Sequence, residues 1–120
     1  MADVIESGRV VITGMGTVNA IAGDPLQFAA ALKAGTCGIG PVTRFDTAAF
    51  RTHNGAEVRD FRPRALLPPE FSLKRASRAD AFALVAAFQA LSQAGLYPVP
   101  EFLRERMGTV IGGGAGGMPE

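Results

Sequence analysis

The sequence predicts an α/β chain whose sheet is unfinished. The run Val10-Val11-Ile12 is β-branched and does not alternate with polar residues, as a parallel strand covered on both faces reads. A long alanine-rich helical stretch lies near the middle of the chain, and a second such run, Thr109-Val110-Ile111, lies close to its end. The resulting order is strand, helix, irregular segment, buried helix, strand, which points to a parallel sheet with helices on its faces. Two parallel strands do not make a stable sheet alone, so the segment reads as part of a larger fold.

In chain order, residues 10–12 form the first expected strand, and Gly14 and Gly16 punctuate a turn after it. Asp24 opens a helix. It is a good N-cap, Pro25 suits the first helical position, and Gln27 completes a capping-box pattern. Leu26, Phe28, Ala29, Ala30 and Leu32 supply its apolar surface, and Gly35 is placed to end it in the left-handed conformation. Residues 38–68 are irregular. Gly38, Gly40 and Pro41 mark a turn there, and Ala56, Val58 and Phe61 alternate enough for a short strand or hairpin arm. Pro63, Pro68 and Pro69 keep the next stretch extended or turned.

Ser77 or a neighbour starts the second helix, which runs to Gln93 with Gly95 as its terminator. Phe82, Leu84, Val85, Leu91 and many alanines make it apolar on more than one face, the mark of a buried helix. Residues 98–106 read as a short turn or helix. Residues 109–111 are the second buried strand, and residues 112–117 form a glycine-rich loop.

At 120 residues the chain is the size of one domain. It is 48% hydrophobic and only 19% charged, which suits elements buried on both faces. The net charge of +1 supplies no field to attract nucleic acid or an acidic membrane. The arginines are scattered, several of them close to Asp or Glu, and read as a solvated mixed-charge surface. Cys37 is the single cysteine, so no internal disulfide forms, and nothing has zinc-ligand spacing. Residues 1–8 include Asp3 and Glu6 and lack an apolar core, so they are not expected to be a signal peptide. No apolar run reaches transmembrane length, and a cytoplasmic location is the expectation.

Several segments, taken together and in order, resemble the β-ketoacyl synthase family. Arg9-Val10-Val11-Ile12-Thr13-Gly14-Met15-Gly16 is similar to its first strand and turn. Phe28-Ala29-Ala30-Ala31-Leu32-Lys33-Ala34-Gly35 is similar to its first helix. Gly38-Ile39-Gly40-Pro41-Val42-Thr43-Arg44-Phe45-Asp46 is similar to the loop that follows, and is the most specific piece. Ala83-Leu84-Val85-Ala86-Ala87, with Ala90-Leu91 and Ala94-Gly95-Leu96, resembles the central helix. Met107-Gly108-Thr109-Val110-Ile111, with the glycine loop to Gly117, resembles the next strand and its loop. Two departures stand out. The family usually carries Arg-Met-Asp-Arg before the central helix, where this chain has Arg75-Ala76-Ser77-Arg78, so an acid is lost although Ser77 can still cap. Ala115 replaces a residue that is often bulky in the family, which implies a roomier or less gated pocket.

The resemblance implies a thiolase-like layered α/β fold, of which residues 1–120 would be the N-terminal part, ending before the catalytic cysteine. It implies decarboxylative Claisen condensation of acyl and malonyl thioesters carried on acyl carrier protein, in fatty-acid or polyketide synthesis. That chemistry needs a nucleophilic thiolate and donors for the oxyanion and the enolate. In the family these are one cysteine and two histidines, all beyond this segment. No metal or redox cofactor is implied, and the complete protein would be a homodimer or heterodimer. Gly112, Gly114, Ala115 and Gly116 are the expected substrate-binding residues, on the loop that borders the acyl pocket in the family. Basic side chains would be candidates for docking the carrier protein, although a mixed-charge surface is the preferred reading. The alternative is a non-catalytic partner subunit of the same fold, resembling a chain-length factor.

Three features are read as ordinary. Cys37 lies after the first helix, where the family has no nucleophile, and is a loop cysteine. His53 is the only histidine and has no partner for metal binding, so it is a surface residue. Residues 112–117 match G-x-G-x-x-G after a strand, the dinucleotide pattern. That fingerprint belongs in a first strand-helix unit, whereas this one closes the chain. A tight loop in which glycines permit close backbone packing is the preferred reading. A nicotinamide-dependent oxidoreductase is the third hypothesis, and a cofactor titration of the complete protein would test it.

Overall fold

The computed structural model describes residues 8–114. Its elements are α1 (Pro25–Lys33), β1 (Ile39–Pro41), β2 (Asn54–Ala56), α2 (Pro63–Leu66), α3 (Arg78–Gln93) and α4 (Glu101–Arg104).

Both main helices begin and end as their local chemistry dictates. The Asp24 carboxylate accepts the Gln27 N–H at 2.9 Å. The reciprocal half of the expected capping box shifts by one residue, because the Gln27 side chain accepts from Gly23 N–H at 3.3 Å and leaves Asp24 N–H alone. At α3 the box is complete. Ser77 Oγ accepts from Asp80 N–H at 3.2 Å, and the Asp80 carboxylate accepts from Ser77 N–H at 2.9 Å. Gly35 and Gly95 take φ of 67° and 69°. Each closes a paired C-terminal motif, Gly35 N–H to Leu32 O with Thr36 N–H to Ala31 O, and Gly95 N–H to Ser92 O with Leu96 N–H to Leu91 O.

The expected hairpin arm over residues 53–61 is present only in part, since the strand stops at Ala56 and leaves Val58 and Phe61 outside it. β2 pairs antiparallel with β1, placing Gly40 opposite Gly55. Residues 98–106 contain the short helix α4, whose Glu101 and Arg104 form an exposed ion pair at 2.8 Å.

The two expected parallel strands do not form. Residues 10–12 and 109–111 carry no strand pairing. Val10 and Val110 are each 99% exposed. The physical reason is that a parallel strand takes its hydrogen bonds from neighbours and its burial from covering helices. The only sheet among the described residues is the β1–β2 pair, which supplies neither.

Burial of α3 is likewise partial. Its apolar residues were expected to be covered on more than one face, yet only Ala81 and Val85 are buried. Ala22 and Leu67 complete the small core. Aromatic contacts join the helix to the loops around it. Phe61 meets Phe82 with ring centroids 4.6 Å apart and the rings tilted by 59°, and Phe71, Phe88 and Tyr97 form a second cluster with Phe88 and Tyr97 edge to face at 5.0 Å. α1 buries no side chain, and Leu26 and Leu32 are exposed. The accessible surface is 10063 Å², where a compact monomer of this length shows about 6,000 Å². The excess surface includes large apolar side chains such as Val10, Ile12, Val110 and Ile111, which are exposed.

Candidate functional site

Where it is described, at residues 112–114, the glycine loop proposed from the sequence lies open. Gly112 and Gly114 are exposed, and a Cβ built at Gly112, Gly113 or Gly114 meets no atom within 4 Å. Close packing there, the preferred sequence reading, is not formed among the described residues. Ala115 and Gly116 lie outside the described residues, as do residues 1–7.

Close backbone approach occurs instead at the start of the chain, where the sequence suggested only a turn. Gly14 and Gly16 press against α3. A Cβ at Gly14 would stand 2.0 Å from the Ala90 carbonyl oxygen, and one at Gly16 1.8 Å from that of Ala86. Two glutamines one turn apart on α3 clamp the same segment. Gln93 accepts from Met15 N–H at 2.6 Å, and Gln89 accepts from Thr17 N–H at 2.9 Å. Gln89 also donates to the Gly23 carbonyl at 2.5 Å. Asn19 folds the next turn by accepting from Ile21 N–H and Ala22 N–H, each at 3.0 Å. The helix backbone, the alanines and the glutamines thus set where the Val10-Val11-Ile12 run leaves the body of the chain.

The segment similar to the family's most specific loop is held by Glu57. Its carboxylate accepts from Thr43 N–H at 2.9 Å, Thr43 Oγ at 2.8 Å and Arg44 N–H at 3.1 Å. The Thr43 backbone and side-chain hydrogen bonds hold its pKa below the ordinary 4.5. Beside it, a groove of about 450 Å³ is lined by Arg44, Arg59, Arg62 and Arg78 together with Glu57 and Asp60. Arg78 is engaged there: it donates to the Val58 carbonyl at 2.6 Å and lies over the rings of Phe61 and Phe82 at 5.5 and 5.2 Å. Only the choice of residue types hinted at this cluster, since its members are spread over residues 43–82.

Cys37 is exposed, and its Sγ lies 3.9 Å from the Ile39 carbonyl. His53 is exposed beside Thr47 Oγ at 3.2 Å. Cys37 shares a groove with Gly38, Gly40, Glu57 and Arg59, and the His53 carbonyl accepts from Val42 N–H at 2.9 Å, next to the loop held by Glu57. Among the described residues no His, Cys, Asp and Glu cluster could hold a metal ion. No described helix is long and apolar enough to cross a membrane.

Residues 7–120 match the family model described as beta-ketoacyl synthase, N-terminal domain. The chain belongs to the β-ketoacyl synthase family. It is 41% identical over 115 residues to 3-oxoacyl-[acyl-carrier-protein] synthase 2 of Coxiella burnetii, covering 96% of this chain and 27% of that relative. It is 33% identical over 115 residues to the chloroplastic synthase II of Arabidopsis thaliana, covering 94% of this chain and 21% of that one. Among solved structures it is similar to the ishigamide ketosynthase/chain length factor, with a TM-score of 0.64, 37% identity, and coverage of 72% of this chain and 21% of that one. The β-ketoacyl synthase segment therefore spans about a quarter of the length of the curated relatives it matches.

Proposed function

We propose that this chain is the N-terminal part of a β-ketoacyl-[acyl-carrier-protein] synthase of the synthase II type, with a thiolase-like layered fold when complete. The observation that carries the reading is the family match over residues 7–120, together with 41% identity to a synthase 2. In the reaction a cysteine thiolate takes the acyl group from its carrier thioester and releases the carrier thiol. The malonyl thioester then loses carbon dioxide, and the resulting enolate attacks the acyl-enzyme carbonyl. A carbon–carbon bond forms as the cysteine leaves. Donors to the thioester oxygen stabilise the charge in both steps. No residue of this chain takes the nucleophile's role. Its part is to build the scaffold and to offer Gly112, Gly114, Ala115 and Gly116 as one wall of the acyl pocket.

Partners under this reading are acyl carrier protein, acyl and malonyl thioesters, and a second subunit, in the cytoplasm. Residues 1–120 by themselves are expected to be inactive. A partner subunit without a nucleophile is the second reading, favoured by the structural likeness to a ketosynthase/chain length factor.

The test is to read the coding sequence past Glu120 and to assay the complete protein with acyl- and malonyl-loaded carrier protein. Carbon dioxide release with an elongated β-ketoacyl product, abolished when a cysteine on a strand-to-helix turn is replaced, supports the synthase. Activity that appears only with a second, cysteine-bearing subunit supports the partner reading. Binding of a nicotinamide cofactor without condensation would overturn both.

A further inference from the structure

We draw no further inference here: the strongest candidate, the arginine-lined groove between the turn at residues 43–44 and the start of α3, carries nothing, because its cations alternate with Glu57 and Asp60, Arg78 is already engaged by Phe61, Phe82 and the Val58 carbonyl, and docking of an anionic carrier protein there would restate an established property of the family.

Discussion

Gly16 lies against Ala86 so closely that a Cβ on the glycine would stand 1.8 Å from the alanine's carbonyl oxygen. The obstacle is helix backbone, which cannot swing aside as a side chain can. Gly16→Ala must therefore push the segment off α3 or distort the helix. Overpacking of this kind costs about 1–3 kcal/mol. The expected result is a lower urea midpoint for the complete protein. Equal midpoints for Gly16→Ala and the parent would contradict the close approach.

Gln89 ties Thr17 and Gly23 to the same helix. Gln89→Ala strands a half-buried N–H and a carbonyl, at about 1–3 kcal/mol for a group left unsatisfied. Amide hydrogen exchange at Thr17 should accelerate by the matching factor. Unchanged exchange would show that water replaces the side chain at no cost.

Ser77 stands where the family usually has an acid, and still closes a complete capping box with Asp80. Ser77→Ala should destabilise by about 1 kcal/mol, and Ser77→Asp should be close to neutral, because both Ser and Asp are good N-caps. Thermal melts of the two variants decide this. A stable Ser77→Ala would mean that tertiary packing alone holds the helix start.

Glu57 is held below its ordinary pKa of 4.5 by hydrogen bonds to Thr43. A carboxylate with a depressed folded-state pKa stabilises the fold fully above its unfolded value, and that contribution fades as pH falls through the folded value. The loop at residues 43–44 should therefore loosen only below pH 4.5. Asp80, depressed from 3.8 by its Ser77 bonds, should release the start of α3 only below pH 3.8. Amide shifts of Thr43 and Asp80 through an acid titration would report the two events. Glu57→Gln should remove the first and leave the second.

Residues 1–120 produced alone should associate or fold poorly. Val10, Ile12, Val110 and Ile111 are exposed. Each large apolar side chain left in water forgoes about 1.5–3 kcal/mol, against a domain stability of about 5–15 kcal/mol. Light scattering coupled to size exclusion should show oligomers, and the thermal transition should be broad. A monomer with a sharp cooperative melt would refute this.

The helix boundaries were legible because capping is local. Asp24, Pro25 and Gly35 specify α1 within a dozen residues, and Ser77 and Gly95 bracket α3 in the same way. The hairpin was legible only in part, since of the alternating Ala56, Val58 and Phe61 only Ala56 lies in the β1–β2 pairing. Even so, the Gln27 side chain caps Gly23 instead of Asp24, because several backbone N–H groups lie within reach of one flexible amide.

The sequence by itself determined the two long helices, their ends and the family, since each is written in residue types at short spacing or in their order along the chain, whereas the short α2 forms where Pro63 reads as extended or turned. Only the tertiary structure decided which glycines need to be glycine and which β-branched runs become strands. Gly14 and Gly16 are demanded by Ala90 and Ala86 of a helix that is distant in sequence, and the interleaved Met15 and Thr17 bond to Gln93 and Gln89 across separations of 78 and 72 residues. The Val10-Val11-Ile12 run has the composition of a buried strand, but a strand exists only when a neighbour supplies its hydrogen bonds.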